Sequence, residues 1–149
     1  MAQRIVSATR LIHAPAEDIF NLLADPRQHS RIDGSGSVLE PRSAPDRLFL
    51  GAKFSMDMRL GVSYFTTNKV VEFEENRVIA WHHVAMFVWR YQLEPVEGGT
   101  QVTESFDYSK PWGLSIMPFG VPEKNRVSME KTLERIEELL TAPNETEGA

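Results

Sequence analysis

The chain contains no cysteine, which excludes disulfide bonds, thiolate metal ligands and a cysteine nucleophile. It also lacks a basic cluster, because its 16 lysines and arginines are scattered, and its net charge of −5 argues against a nucleic-acid-binding surface. Neither the apolar core of a signal peptide nor an apolar run long enough to span a bilayer is present. We therefore expect a cytoplasmic protein without a nucleic-acid partner and without stable membrane insertion.

Motifs for metals and phosphates are also missing. His82 and His83 are adjacent in a predicted strand, so their side chains point to opposite faces and cannot chelate one metal ion. The glycines at 34 and 36 neither follow a strand nor open a helix, which excludes a phosphate-binding loop and a serine nucleophile elbow. We expect no metal and no cofactor.

What the chain does contain is enough apolar material for one core. It has 149 residues, of which 42% are hydrophobic and 25% charged, as in an ordinary globular domain. We predict a single domain over residues 1–142 and a flexible, polar C-terminal tail over residues 143–149.

The first third of the chain mixes strand and helix signals. Residues 3–12 are rich in β-branched side chains and predict a strand. Pro15, followed by Glu17 and Asp18, favours the start of a helix that ends before Pro26. A second short helix is predicted at 26–32, and the glycines of "DGSGS" then interrupt the chain.

The middle of the chain predicts successive strands, and its end predicts a helix. In residues 52–60, Phe54, Met56, Met58 and Leu60 alternate with polar side chains, as in a half-buried strand. Further strands are predicted at 37–41, 62–73, 77–84, 86–95 and 101–109. From 122 to 141 the period becomes helical, with Met129, Leu133, Ile136 and Leu140 on one stripe and Val127 and Leu139 beside it.

This order predicts an α+β fold. An antiparallel sheet of about six to seven strands curls because strands twist, and it wraps around the long C-terminal helix, with two short helices after the first strand. One helix cannot fill a large cup-shaped sheet, so we expect a cavity between the two.

Several stretches carry a family resemblance: "SATRLIHAPAEDIFNLLADP", "DGSGSV", "RVIAWHHV", "FVWRYQLEPVEGGTQVTESFDYSKPWG" and "KTLERIEELL". Together they resemble the SRPBCC superfamily, and within it the polyketide cyclase/dehydrase-like branch related to START domains and Bet v 1 allergens. The resemblance covers nearly the whole chain and implies the helix-grip fold. It carries over no catalytic residue, because the superfamily includes carriers, receptors and cyclases without a shared catalytic motif.

Strand alternation then selects the candidate site. Residues on the parity of Trp81, Tyr91 and Phe106 should face the cavity, because the large apolar side chains decide which face is inward. This parity turns His83 inward and His82 outward. The candidate ligand-binding residues are Met56, Met58, Trp81, His83, Phe87, Trp89, Tyr91, Glu104 and Phe106.

Glu104 is the exceptional member, because a carboxylate on an inward face is costly to bury. We expect a raised pKa or a partner, with His83 and Lys69 as the candidates. His13 and His29 lie near helix ends and are predicted to be surface residues. For His83 and the aromatic side chains, packing without any ligand contact is the alternative.

Three functions remain open at this point. The resemblance favours a protein, monomeric or homodimeric, that binds a hydrophobic small molecule or lipid. If the protein is an enzyme, a cyclase- or dehydratase-type lyase is implied, with His83, Glu104 and Tyr91 as catalytic candidates. A protein-interaction module is the third. Residues 109–122, rich in proline, glycine and apolar side chains, form a lid, a dimer contact, a membrane-touching loop or simply a packed lead-in to the last helix.

Overall fold

The computed structural model describes residues 4–83, 86–112 and 120–141, apart from the Leu60 side chain. Within these residues, seven strands form one antiparallel sheet in the order β1-β7-β6-β5-β4-β3-β2. The strands are β1 (Ile5–Ile12), β2 (Val38–Ser43), β3 (Lys53–Leu60), β4 (Val62–Glu74), β5 (Val78–His82), β6 (Val88–Val96) and β7 (Gly99–Asp107).

The helices begin and end close to their predicted positions. They are α1 (Ala16–Ala24), a 3-10 turn (Pro26–Gln28), α2 (His29–Ile32) and α3 (Val121–Thr141). Helix α1 begins directly after Pro15, carries Glu17 and Asp18 in its first turn and buries Ile19, Phe20 and Leu23. The predicted α+β helix-grip fold, with two short helical segments after the first strand, is therefore confirmed.

Helix α3 packs mainly on β1 and β7, the two strands at one edge of the sheet. It buries Met129, Leu133 and Ile136 of the predicted apolar stripe, whereas Val127 is exposed. Near its C-terminal end, Glu137 accepts hydrogen bonds from the Arg10 guanidinium and from the His13 backbone N–H. Apolar packing and an ion pair therefore both hold α3 against β1.

A β-bulge in β4 changes which of its side chains point inward. The pairing of β4 with β5 shifts between Val70 and Glu72, so the extra residue Val71 disrupts the alternation. Val70 and Asn68 are buried, whereas Lys69 and Val71 are exposed. Lys69, a candidate partner of Glu104, is therefore exposed and does not point into the sheet's inner face.

Some predictions fall outside the described residues. These include the 143–149 tail, residues 113–119 at the centre of the predicted lid, and the side chain of Leu60. Within the described chain, no helix combines the length and apolar character needed to cross a membrane.

Candidate functional site

A cavity of about 330 Å³ lies between the sheet and α3. Strands β3 to β7 provide its floor, α2 and the following loop provide one wall, and α3 contributes Asn125, Ser128, Met129 and Thr132. The predicted cavity is therefore present. Its volume lies at the lower end of the range for small-molecule pockets, about 300–1,000 Å³.

Cross-strand pairing builds the cavity floor from rows of side chains on the inner face. One row runs through Ile79, Tyr91 and Glu104, which are direct register partners on β5, β6 and β7. The next row runs through Trp81, Trp89 and Phe106. Side chains opposite one another in an antiparallel sheet are near neighbours, so Glu104 lies beside the Tyr91 ring and diagonally from Trp89.

The buried carboxyl group of Glu104 is the main electrostatic feature of this floor. Glu104 is only 4% exposed, and its Oε1 accepts or donates no hydrogen bond within the described part of the chain. Burial raises the pKa of Glu104 to about 8, while the Tyr91 side chain lowers it and the charge of Asp33 raises it further. The carboxyl group is therefore mostly protonated at neutral pH.

The Tyr91 hydroxyl responds to the same surroundings. Burial raises the pKa of Tyr91 well above its ordinary value, and the charge of Glu104 adds to the shift. Tyr91 is thus a neutral hydroxyl next to a protonated acid, and the two are adjacent polar groups on the cavity floor.

Asp33 also lines the cavity, but its carboxylate is fully engaged in holding the loop before β2. It accepts hydrogen bonds from the Ser35 hydroxyl and from the backbone N–H groups of Ser35 and Val38. Its backbone carbonyl accepts a hydrogen bond from Arg135 on α3. This loop therefore fixes the cavity wall to the helix.

Gly34 explains why the loop lies so close to α3. Its N–H donates to the Thr132 hydroxyl at 2.9 Å, and a Cβ atom at this position would lie only 2.2 Å from the Ser128 carbonyl oxygen. The glycine in "DGSGS" is thus needed for the close approach of two backbones, not only for a turn.

His29 is a cavity residue, and its predicted surface position is wrong. It is 8% exposed, its Nε2 lies 2.8 Å from the Leu23 carbonyl oxygen, and its ring stacks on Trp81. Burial lowers the pKa of His29, so the ring is neutral at pH 7. Because α2 packs against the sheet, the side chain that opens this helix points into the cavity instead of into solvent.

His82 and His83 separate as the alternation predicts. His83 lines the cavity and contacts the Phe87 ring edge-on, whereas His82 pairs in register with the exposed Lys69 and does not line the cavity. Burial lowers the pKa of His83, and the nearby His82 lowers it further. The register pairs Glu104 with Tyr91 and Ala8, so His83 is not its cross-strand partner.

The cavity gathers most of the predicted ligand-binding residues. Met56, Met58, Trp81, His83, Trp89, Tyr91 and Glu104 line it. Phe87 and Phe106 do not line it; both are buried, and their rings meet edge to face at 5.8 Å. Their burial agrees with the inward orientation that the alternation predicts. The ligand-binding role of all nine residues remains a prediction.

Several lining residues were not predicted from the sequence. They come from α2, the following loop, β4 and α3: His29, Asp33, Tyr64, Thr66, Asn68, Asn125, Ser128 and Thr132. The bulge in β4 concealed the inward position of Asn68, because it shifts the alternation of this strand. Across the described residues, no group of histidine, aspartate and glutamate side chains is arranged to hold a metal ion.

The fold and the site together define a class: a helix-grip protein with an aromatic-lined cavity between its sheet and its C-terminal helix. The family model for polyketide cyclase / dehydrase and lipid transport proteins matches residues 3–141. The chain therefore belongs to this family, within the SRPBCC superfamily.

The chain is also similar to an individual protein in sequence and to solved structures in fold. The uncharacterised protein Rv0088 of Mycobacterium tuberculosis is 35% identical over 138 residues, which cover 88% of this chain and 62% of that protein. The chain thus spans less than two thirds of this relative's length. Among solved structures, the AHSA1-like protein from Aeromonas hydrophila matches with a TM-score of 0.69 and 17% identity over 97% of this chain and 94% of its own.

A second solved structure is the Polyketide_cyc-like protein Cgl2372 from Corynebacterium glutamicum. It matches with a TM-score of 0.61 and 21% identity, covering 93% of this chain and 92% of its own. At such identities the two structures support the fold alone.

Proposed function

We propose that the protein binds a hydrophobic small molecule in the cavity between its sheet and α3. The cavity itself carries this proposal. Its apolar lining includes Trp81, Trp89 and the compliant side chains of Met56, Met58 and Met129. Aromatic and methionine side chains adapt to flat or irregular apolar ligands, and the few polar groups among them would orient such a ligand.

The volume limits the size of the ligand. A space of about 330 Å³ suits one compact ring system or a short chain, not a lipid with two long acyl chains. The family's description includes lipid transport, so carriage or sequestration of a compact lipid-like molecule is the form of binding that we propose.

A cavity-filling substitution tests this proposal. Thr66 lines the cavity, whereas the adjacent Thr67 is exposed on the opposite face of β4. We expect Thr66→Trp to weaken binding of the uncharged probe N-phenyl-1-naphthylamine by at least about tenfold, which corresponds to ~1.4 kcal/mol. Thr67→Trp should bind like the native protein. Probe fluorescence measures both affinities, and circular dichroism checks that both variants are folded. Equal affinities would place binding elsewhere.

A lyase of the cyclase or dehydratase type is a second candidate, favoured by one observation. A protonated Glu104 lies beside Tyr91 in a cavity that also exposes His83, which supplies groups for acid–base chemistry. On this reading, Glu104→Gln and His83→Ala should abolish turnover of an aromatic polyketide-like substrate and leave probe binding intact. A binding protein predicts changes in affinity alone.

A further inference from the structure

The polar groups of the cavity wall differ in how far the protein itself satisfies them. The His29 ring contacts the Leu23 carbonyl, the Thr132 hydroxyl donates to the Ser128 carbonyl, and the Asp33 carboxylate accepts from the loop that follows it. By contrast, the Oε1 atom of Glu104 is buried and has no hydrogen-bond partner among the described residues. An unsatisfied buried polar atom is costly, and Glu104 lines the cavity, so a ligand atom beside this carboxyl group would complete the hydrogen bond.

The charges around the cavity exclude one class of ligand. The described residues that line it include Asp33 and Glu104 but no lysine or arginine. The two lining histidines, His29 and His83, have lowered pKa values and are neutral at pH 7. A carboxylate or phosphate group on a ligand would lose its hydration without gaining a cation, and it would meet the negative charge of Asp33. Fatty-acid anions and phospholipids therefore do not fit.

A protonated amine is also disfavoured. The ionisable groups that act on Glu104 are Tyr91 on β6 and Asp33 after α2. Its partner on β1 is Ala8, which carries no charge. The side chains that α3 contributes to the cavity are also uncharged: Asn125, Ser128, Met129 and Thr132. In these surroundings the carboxyl group holds its proton. An ammonium ion would require that proton to leave and would bury two charges, and the desolvation of such a pair often cancels its attraction.

An uncharged oxygen fits without either penalty. We propose that the cavity selects uncharged ligands that carry a carbonyl or hydroxyl oxygen, and that the carboxylic acid of Glu104 donates a hydrogen bond to this oxygen. The apolar body of the ligand would lie against Trp81, Trp89 and the methionines. This inference rests on the proposed binding function and specifies the chemistry that the same cavity recognises.

Four naphthalenes that differ in one substituent test the selection on the full chain. They are 2-acetylnaphthalene, 2-ethylnaphthalene, 2-naphthoate and 2-(aminomethyl)naphthalene, a ketone, a hydrocarbon, an anion and a cation at pH 6.5. Calorimetry or tryptophan quenching gives each affinity. We expect the ketone to bind about three- to tenfold more tightly than the hydrocarbon, as one net hydrogen bond would provide. Both charged compounds should bind more weakly than the ketone.

Variants assign the preference to Glu104. In Glu104→Leu the ketone should lose its advantage while the hydrocarbon still binds. In Glu104→Gln, whose amide can donate, the advantage should remain. Glu94→Gln, on an exposed position of the neighbouring β6, is the matched control and should change nothing. Raising the pH from 6 to 9 should weaken ketone binding in the native protein and not in Glu104→Gln, because an ionised carboxylate no longer donates.

The outcomes separate the two proposals. If the hydrocarbon binds but the ketone has no advantage, or if Glu104→Leu keeps that advantage, the selection by Glu104 is wrong and the binding function stands. Tightest binding of the amine or of the naphthoate would also overturn the selection. If none of the four compounds binds, the proposed binding function fails, and the inference fails with it.

Discussion

The two halves of the sheet are built differently. In the half formed by β1, β7, β6 and β5, which we call the regular half, every register runs without interruption from end to end. In the arm formed by β2, β3 and β4, register shifts occur in β2 and at Val71 of β4. Helix α3 packs on the edge of the regular half, whereas the arm exposes Val62 and Phe65 near its hairpin. Strand alternation therefore predicts inward side chains reliably only where a continuous buried face fixes the register.

The largest expected difference between the halves comes from two phenylalanines. Phe106 in the regular half is 2% exposed and contacts Trp89 at 4.5 Å between ring centroids. Phe65 in the arm is 52% exposed, with the Arg42 guanidinium 4.3 Å from its ring centre. Phe106→Ala should lower the free energy of unfolding by about 3–5 kcal/mol, and Phe65→Ala by about 0.5–1 kcal/mol. Urea denaturation measures both, and similar losses would contradict the distinction between the halves.

Glu104 gives the regular half a pH-dependent stability. Its pKa is about 8 in the folded protein against an ordinary 4.5, so folding favours the protonated form. The native protein is therefore most stable with respect to this group below pH 4.5 and loses stability as the pH rises to 8, by at most ~1.4 kcal/mol per pH unit.

Glu104→Gln removes this loss, because its amide does not titrate. We expect the variant to gain about 3–4 kcal/mol over the native protein at pH 8 relative to pH 5. The exposed Glu94→Gln change serves as the control, and urea denaturation at the two pH values measures the difference. A gain of the same size at both pH values would show that Glu104 is not held protonated.

Gly34 connects the arm to α3, and its replacement should affect the arm first. Gly34→Ala places a Cβ atom against the Ser128 carbonyl oxygen. To relieve this clash the loop must move away from α3, which weakens the hydrogen bond from the residue 34 N–H to the Thr132 hydroxyl. We expect a loss of about 1–3 kcal/mol, as for other overpacked positions. Hydrogen exchange should show faster exchange in β2 than in β7. Uniform acceleration across the sheet would mean that the loop supports both halves equally.

The smallest effect is expected where the two halves meet. Arg90 on β6 reaches across Ala80 of β5 to Glu72 on β4, with 2.8 Å between Nε and Oε1. Both side chains are partly exposed, so Arg90→Ala should cost no more than about 1 kcal/mol, and less in high salt. Thermal denaturation at low and high salt measures this cost. A larger, salt-independent loss would indicate that Arg90 stabilises the junction by packing over Ala80.

The fold was largely predictable because its signals are local and periodic. Alternation with period 2 identifies β3, β6 and β7 as strands, and the helical stripe identifies α3 as a helix. The same alternation predicts that Trp81, Tyr91 and Glu104 point inward. Glu104 on an inward parity also indicated a raised pKa before any geometry was available.

The tertiary structure decided what periodicity does not contain. The extra residue in β4 turned Lys69 outward and brought Asn68 into the cavity. The packing of α2 buried His29 against Trp81, and Phe87 and Phe106 were buried against each other and do not line the cavity. Each of these outcomes depends on which elements meet in space. The sequence by itself therefore determined the fold and the inward position of Glu104. Only the packing of α2, α3 and the arm decided which other side chains line the cavity with Glu104.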